Sequence, residues 1–203
     1  MQPDALADAP RTLADAIAHD GVAVAAGWLD DVLVSRLRAR VAQLDAAGRF
    51  APARIGRGAT RAHRDGVRGD RVCWLGDDDP AERELAAALD GLRSDVNRTL
   101  ALGAFELEMH YAIYPAGARY VRHRDRFRDD DARVLSCVVY LNDAWRDDEG
   151  GALRLHLPAG PRDVPPRGGS LVAFLADRVE HEVLPASRER CSVAGWFRRR
   201  GPG

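Results

Sequence analysis

The fold of this chain is decided by residues 105–142, which read FELEMHYAIYPAGARYVRHRDRFRDDDARVLSCVVYLN. Here helical spacing gives way to short β-rich runs separated by turn residues. Similar runs continue to the end, and we expect strands at 105–114, 119–122, 133–142, 151–157, 170–175, 179–184 and 190–198. The segments at 115–117 and 158–169 are expected to be turns. Several short strands at even spacing predict a β-sandwich or barrel.

Upstream of this region the spacing of apolar residues predicts helices. Residues 12–19 and 29–47 each place their apolar side chains mostly on one side, and a third helix is expected to begin with the acids and proline at 77–80. Short strands are expected at 22–26 and 70–75. We therefore predict an α+β protein with one domain over residues 1–203. Its helical part, at about 11–100, packs against a β core at about 104–199.

Residues 49–71 differ in composition from their surroundings, since they are rich in arginine and glycine and show little periodicity. They are expected to form an exposed loop or a mobile flap over a pocket, because loops often carry function. An RNA contact is a further alternative for so many arginines. It is disfavoured because no aromatic residue follows Phe50 in the run. Residues 1–10 are expected to be a loose tail.

The composition argues against several classes of partner. The formal net charge is −1, so bulk charge indicates neither nucleic acid nor a membrane surface. Cys73, Cys137 and Cys191 are too few and too scattered for a disulfide framework or a zinc knuckle. We find no signal-peptide pattern and no apolar run of membrane-spanning length. The expectation is a cytoplasmic protein, with a monomer favoured.

His123 and Asp125 are the first candidate site residues. If they lie on one strand, alternation places both side chains on the same face, where they could hold one metal ion. The His-x-Asp pattern alone is weak, because it arises often by chance. The triplet at 123–125 also matches the start of a protein-kinase catalytic loop. That interpretation fails because the expected asparagine, the glycine-rich nucleotide loop and the phosphate-binding lysine are missing.

His181 and Arg190 strengthen the case for a metal site. His181 lies in a predicted strand and could be a third ligand, although an isolated histidine is more often an ordinary core or surface residue. Two histidines and one carboxylate are the ligand set of non-haem iron sites that leave positions open for other ligands. Arg190 shares its predicted strand face with apolar and small residues. A buried guanidinium requires an anion, and a dicarboxylate could supply one.

Tyr140 could donate a hydrogen bond to the same carboxylate as Arg190, since it is on the predicted interior face of its strand. The alternative is a packed core tyrosine. The sequence around these residues resembles the Fe(II)/2-oxoglutarate-dependent dioxygenases, and among them the prolyl hydroxylases of the hypoxia-inducible-factor (HIF) group. The matching segments are Tyr114-Pro115, Tyr120 to Asp125, Cys137 to Asn142 with Trp145, Gly150 to Arg154, His181 to Val183, Pro185, Arg190 and Trp196, and upstream Val67 to Asp70 with Trp74.

This resemblance implies a double-stranded β-helix (jelly-roll) barrel with supporting N-terminal helices. It also implies roles for individual residues. Fe(II) would be held by His123, Asp125 and His181. The distal carboxylate of 2-oxoglutarate would be held by Arg190, helped by Tyr140. The remaining implied positions are Tyr114 near the cosubstrate, Leu153 and Val183 as apolar walls, Arg133 and Trp196 in the substrate cleft, and Arg68 and Asp70 in a flap over the substrate.

The implied reaction is hydroxylation of a prolyl residue in a protein substrate by O₂ and 2-oxoglutarate, with succinate and CO₂ as co-products. Ascorbate is the expected reductant, and a translation component is a candidate substrate. Two alternatives remain open: a hydroxylase of a small molecule such as free proline or a natural product, and a non-catalytic module that senses metal or oxoacid. A nucleic-acid demethylase is disfavoured by the near-zero net charge.

Overall fold

The structure of the protein is a computed structural model that describes residues 12–53, 66–125 and 132–200. The tail expected at residues 1–10 lies outside the described residues, and so does most of the segment expected to be a flap. None of the helices in these ranges combines the length and the hydropathy that a membrane span requires.

The described part of the first half of the chain contains three helices: α1 (Leu13–Asp20), α2 (Asp31–Ala46) and α3 (Pro80–Leu100). Each begins where the sequence offers a side-chain cap for the free N–H groups of the first turn. Thr12 caps α1, Asp30 accepts a hydrogen bond from the Leu33 amide at 2.7 Å, and Asp79 caps α3 with Pro80 in the first turn. These are the starts that the sequence predicts, to within a few residues.

The strands are β1 (Val22–Ala25), β2 (Ala51–Pro52), β3 (Arg71–Trp74), β4 (Ala104–Tyr114), β5 (Tyr120–His123), β6 (Arg133–Tyr140), β7 (Leu153–Leu157), β8 (Gly160–Val164), β9 (Leu171–Leu175), β10 (Glu180–Val183) and β11 (Arg190–Arg199). They form a seven-stranded sheet in the order β1-β9-β6-β11-β4-β3-β2 and a four-stranded sheet in the order β5-β10-β7-β8. Every pairing is antiparallel.

Side chains along the strands of the large sheet alternate between its two faces, and each face packs into a core of its own. One core joins the helices to one face of that sheet; it includes Ile17, Leu37, Leu85, Tyr111, Leu135 and Phe197. The second core lies between the two sheets and includes Tyr140, Phe174, Leu153, Leu155 and Val183. The helix-supported jelly roll predicted from the sequence is therefore confirmed. The candidate site residues lie between the sheets, on the face opposite the helices.

Three local expectations are wrong. Residues 158–169 are expected to be a turn, yet β8 lies within them. Among the described strands it pairs with β7 alone, and such an edge strand tolerates Pro161. The loop expected from residue 49 contains the short β2, which pairs with β3. Finally, β5 ends at His123, so Asp125 follows the strand in a bend rather than sharing the strand's face by alternation.

Candidate metal centre and active site

Three side chains converge between the sheets in an arrangement that suits a metal ion. Possible ligand atoms of His123, Asp125 and His181 all lie within 4.8 Å of one another. His123 and His181 are directly paired across β5 and β10, and each Nε2 is 3.6 Å from one oxygen of the Asp125 carboxylate. Strand pairing thus fixes the two imidazoles, and the bend after β5 brings the carboxylate to them.

Each of the three side chains also makes a hydrogen bond on the side that faces away from the cluster. These bonds orient the free lone pair of each side chain toward the other two. Nδ1 of His123 is 2.8 Å from the Val121 carbonyl, and Nδ1 of His181 is 3.4 Å from the Val179 carbonyl. A carbonyl only accepts, so each Nδ1 carries the proton and each Nε2 is left as a ligand. The Ser136 hydroxyl donates to Oδ2 of Asp125 at 2.6 Å and orients the carboxylate.

The charge states of these groups also suit a divalent cation. Burial lowers the pKa of His181 to about 4, so its imidazole is neutral near pH 7. Burial opposes ionisation of Asp125, but the nearby imidazoles of His181 and His123 and the Ser136 hydroxyl hold the pKa of its carboxyl well below the usual range. Imidazole binds a metal in its neutral form, so as ligands the two histidines and the carboxylate would carry a single negative charge. This donor set fits Fe(II) and leaves further coordination positions open.

Arg190 lies in the same cavity and is 2% exposed. Its Nε donates to the Gly151 carbonyl at 3.0 Å, and its guanidinium carbon lies 5.1 Å from the ring centroids of both Tyr114 and Tyr140. Among the described residues, no carboxylate is within ion-pair distance of Arg190. A buried guanidinium without a counter-ion is unfavourable, so the site suits an anionic guest.

The Tyr140 hydroxyl is a second unmatched polar group beside this guanidinium. It is buried and finds no hydrogen-bond partner within the described part of the chain. Burial raises the pKa of Tyr140 and of Tyr114, so both phenols keep their protons near neutral pH. A guanidinium and a phenol that both need an acceptor match the geometry of a carboxylate.

Gly151 shapes the pocket through its backbone. Its φ of +71° is in the left-handed region, and an added Cβ would lie 2.9 Å from the Ala186 Cβ and 3.0 Å from the Trp145 ring. The same Cβ would lie 3.5 Å from Cδ of Arg190. Glycine therefore lets this carbonyl approach and hold the guanidinium.

The residues predicted to contact substrate form two pairs nearby. Arg68 holds the fully buried Asp70 carboxylate through two hydrogen bonds of 2.6 and 2.8 Å. The guanidinium of Arg133 stacks 3.7 Å from the centroid of the Trp196 ring. The predicted positions that line the cavity are Arg68, Tyr114, His123, Asp125, Leu153, His181, Val183, Arg190 and Trp196. Three predicted positions do not line the cavity but contact residues that do: Tyr140 contacts Arg190, Arg133 contacts Trp196, and Asp70 contacts Arg68.

Sequence reasoning missed three residues of this site. His110 lacks an acidic neighbour at the spacing of His123 and Asp125, so the sequence does not mark it as a site residue, yet it lines the cavity beside Arg68. Ser136 lies on the same strand face as Tyr140, but nothing in the sequence indicates its hydrogen bond to Asp125. The Tyr120 ring stacks on His123 with centroids 3.6 Å apart. The sequence does carry one signal for His110 and Ser136. Each lies four residues before a predicted site tyrosine, Tyr114 or Tyr140, and alternation in a strand places both members of such a pair on the same face.

Comparisons with known proteins agree with this geometry. Residues 109–198 match the 2OG-Fe(II) oxygenase superfamily. The chain is similar to a Pseudomonas putida prolyl-4-hydroxylase, with 44% identity, a TM-score of 0.85, and coverage of 93% of this chain and 98% of that one. It is also similar to a prolyl hydroxylase solved with a HIF oxygen degradation domain peptide fragment from Trichoplax adhaerens, with 26% identity, a TM-score of 0.83, and coverage of 92% and 87%.

A human relative is matched over a smaller part of its length. The chain is 27% identical over 189 residues to human Egl nine homolog 1, which is 87% of this chain and 43% of the relative. The chain thus spans less than half of that relative.

Proposed function

Because the chain belongs to the 2OG-Fe(II) oxygenase superfamily, we propose that it hydroxylates a prolyl residue in a protein substrate. As a member of that family, it is an oxygenase that uses Fe(II), 2-oxoglutarate and O₂. Succinate and CO₂ would leave as co-products, and ascorbate would serve as reductant. A component of the translation machinery is a candidate substrate. We further propose that residues 1–203 act as one catalytic domain.

The proposal is carried by one cavity that contains both a three-ligand cluster and a buried guanidinium for which the described residues supply no counter-ion. His123, Asp125 and His181 would hold Fe(II). The metal would supply the activation of oxygen that the side chains themselves cannot perform. Its three protein ligands leave other positions for cosubstrate and O₂.

The side chains around the metal would bind, orient and exclude water. Arg190 would grip the far carboxylate of 2-oxoglutarate, with the Tyr140 hydroxyl as a second donor and Tyr114 alongside. Leu153 and Val183 are 1% and 6% exposed and would keep water from the cosubstrate.

On the substrate side of the cavity, Trp196 and Arg68 would contact the substrate chain, and their partners Arg133 and Asp70 would hold them in position. The similarity over nearly the whole chain to the Pseudomonas putida prolyl-4-hydroxylase supports a prolyl target.

Substrate capture tests the function directly. The His123→Ala variant is immobilised in the presence of 2-oxoglutarate and used to capture proteins from a bacterial lysate. Each captured protein is then treated with wild-type enzyme, Fe(II), 2-oxoglutarate and ascorbate. We expect mass spectrometry to find one added oxygen atom on a proline, with an equal amount of succinate. The matched control is His156→Ala, because His156 lies outside the cavity and pairs with Glu182 at 3.0 Å.

Other outcomes identify the alternatives. Succinate formation stimulated by free proline or a natural product, but by no protein, would mean a small-molecule hydroxylase. Tight binding of metal and 2-oxoglutarate without succinate from any substrate would mean a sensor module. If the same amount of succinate forms with and without ascorbate over many turnovers, ascorbate is not the reductant of this enzyme.

A further inference from the structure

A column of three rings in contact borders the candidate active site on the face of the large sheet. Trp74 on β3 is opposite His110 on β4, and their ring centroids are 5.1 Å apart with planes inclined by 53°. His110 in turn stacks on Trp196 of β11, with centroids 5.2 Å apart and planes inclined by 23°. His110 and Trp196 line the cavity that holds the metal-ligand cluster. Trp74 is 52% exposed, so the column leads from the surface to the site.

The protonation of His110 follows from its contacts. Nη2 of Arg68 lies 3.3 Å from Nε2 of His110. A guanidinium only donates, so Nε2 must be the acceptor, and the proton of a neutral imidazole then lies on Nδ1. Burial, together with the charge of Arg68, lowers the pKa of His110 to about 3, which keeps the ring neutral. His110 therefore presents an N–H group at Nδ1.

Two N–H donors are consequently left without partners in this layer. Nδ1 of His110 and Nε1 of Trp196 are both buried, and neither has an acceptor among the residues that the structure describes. Their residues are 2% and 7% exposed. Buried donors without acceptors are rare and costly, and they mark places where a guest supplies the missing acceptor.

We propose that His110 and Trp196 form a donor pair that positions the substrate by hydrogen bonding to carbonyl oxygens of its peptide backbone. This inference rests on the proposed function and deepens it, because it identifies the backbone carbonyl as the group of the substrate that the site recognises. Both donors are uncharged, and the two guanidinium groups beside them, those of Arg68 and Arg133, are already paired with Asp70 and Glu108. Neutral donors suit neutral acceptors, so the pair favours a peptide over the carboxylate of free proline.

The first test compares two substitutions of His110 that differ in the nitrogen they replace. His110→Asn places an amide near Nδ1, where it restores a donor, whereas His110→Gln reaches the position of Nε2 and restores only the contact with Arg68. The probe is the peptide acetyl-Gly-Gly-Pro-Gly-Gly-amide, and the enzyme is loaded with 2-oxoglutarate and Zn(II), which takes the same ligand types without redox chemistry. We expect the peptide Kd to rise at least about tenfold for Gln and less than about threefold for Asn.

Trp196→Phe removes the second donor and should also weaken binding about tenfold. His156→Gln, outside the cavity, is the control and should leave the Kd unchanged. Equal effects of Asn and Gln would overturn the donor assignment, because a purely structural role does not distinguish the two nitrogens.

The second test observes the two donors directly in the wild-type protein, so its result does not depend on the activity of any variant. In wild-type protein, the ¹⁵N-bound protons of Trp196 Nε1 and His110 Nδ1 should move downfield when the same peptide is added, as they do on forming hydrogen bonds. Trp196→Phe and His110→Gln assign the two signals by their loss. No movement at millimolar peptide, or a larger movement with free L-proline, would overturn the inference.

Failure of this inference can be told from failure of the proposed function. If a captured protein gains oxygen on proline while neither signal moves, the hydroxylase stands and the donor pair falls. If both signals move but no proline-containing protein is oxidised, the donor pair stands and the hydroxylase falls.

Discussion

Arg190→Lys is the most informative single change to the cosubstrate site. Lysine keeps the positive charge but replaces a planar, forked donor with a compact ammonium group that cannot contact both carboxylate oxygens in the same way. It also cannot remain bonded to the Gly151 carbonyl, 3.0 Å from Nε of Arg190, with the same geometry. We therefore expect a folded protein that binds 2-oxoglutarate weakly.

The size of the effect follows from the burial of this group. Loss of one charged hydrogen bond in a buried site costs about 1.5–3 kcal/mol, or roughly 10- to 150-fold in affinity. At a 2-oxoglutarate concentration of about 100 times the wild-type Kd, binding stabilises the wild type by about 2.7 kcal/mol. A variant with about 30-fold weaker binding gains only about 0.9 kcal/mol under the same conditions.

Thermal unfolding with and without 2-oxoglutarate measures this difference. For a domain of this size, about 1 kcal/mol shifts Tm by roughly 2–4 °C. The wild type, loaded with Zn(II), should gain about 5–11 °C from the cosubstrate, and Arg190→Lys about 2–4 °C. Titration by calorimetry gives the same ratio of Kd values independently.

The matched control is Arg154→Lys. Arg154 also uses its fork, with two contacts of 2.8 Å to Asp163, but it lies on the outer face of the small sheet. Its replacement should leave the cosubstrate-induced shift unchanged. Equal ligand-induced shifts in the wild type and Arg190→Lys would refute the assignment of Arg190 as the carboxylate anchor.

Three further changes test the rest of the site. His123→Ala should abolish succinate production while circular dichroism and cooperative unfolding persist; unchanged production would disprove the ligand assignment. Ser136→Ala removes the 2.6 Å bond to Asp125 and should weaken metal binding about 10- to 100-fold in a chelator competition, whereas Ser94→Ala, on a helix surface, should have no effect. Gly151→Ala should lower the free energy of unfolding by at least about 1–2 kcal/mol, because alanine disfavours a φ of +71°. Gly91→Ala, in the middle of α3 with open space at its Cβ position, should instead raise it by about 0.5–1 kcal/mol in denaturant titrations.

Sequence periodicity predicts the elements whose side chains face one consistent environment. The helices and the strands of the large sheet other than β2 have one such pattern per face, so their approximate positions follow from the chain; β2 has two residues, too few to show a pattern. β8 escaped prediction because an edge strand needs only one partner and tolerates Pro161 within it. The resemblance to a known family could name the ligand set, but not the carbonyls of Val121 and Val179 behind the two imidazoles, because main-chain contacts leave no pattern in side-chain identity.

The contrast between His110 and His181 shows where such reasoning stops. Both are buried histidines in strands and both line the cavity, and the sequence around each contains acids. Their roles are separated by what lies behind the ring. A carbonyl behind His181 accepts the Nδ1 proton and leaves Nε2 to face Asp125, whereas a guanidinium donates to Nε2 of His110 and forces its proton onto Nδ1. The two histidines are thus the same tautomer, with the proton on Nδ1, but they leave different nitrogens available: Nε2 of His181 suits a metal, and the Nδ1–H of His110 suits an acceptor on the substrate. Each partner comes from another part of the chain or from the backbone, so only the folded arrangement distinguishes them.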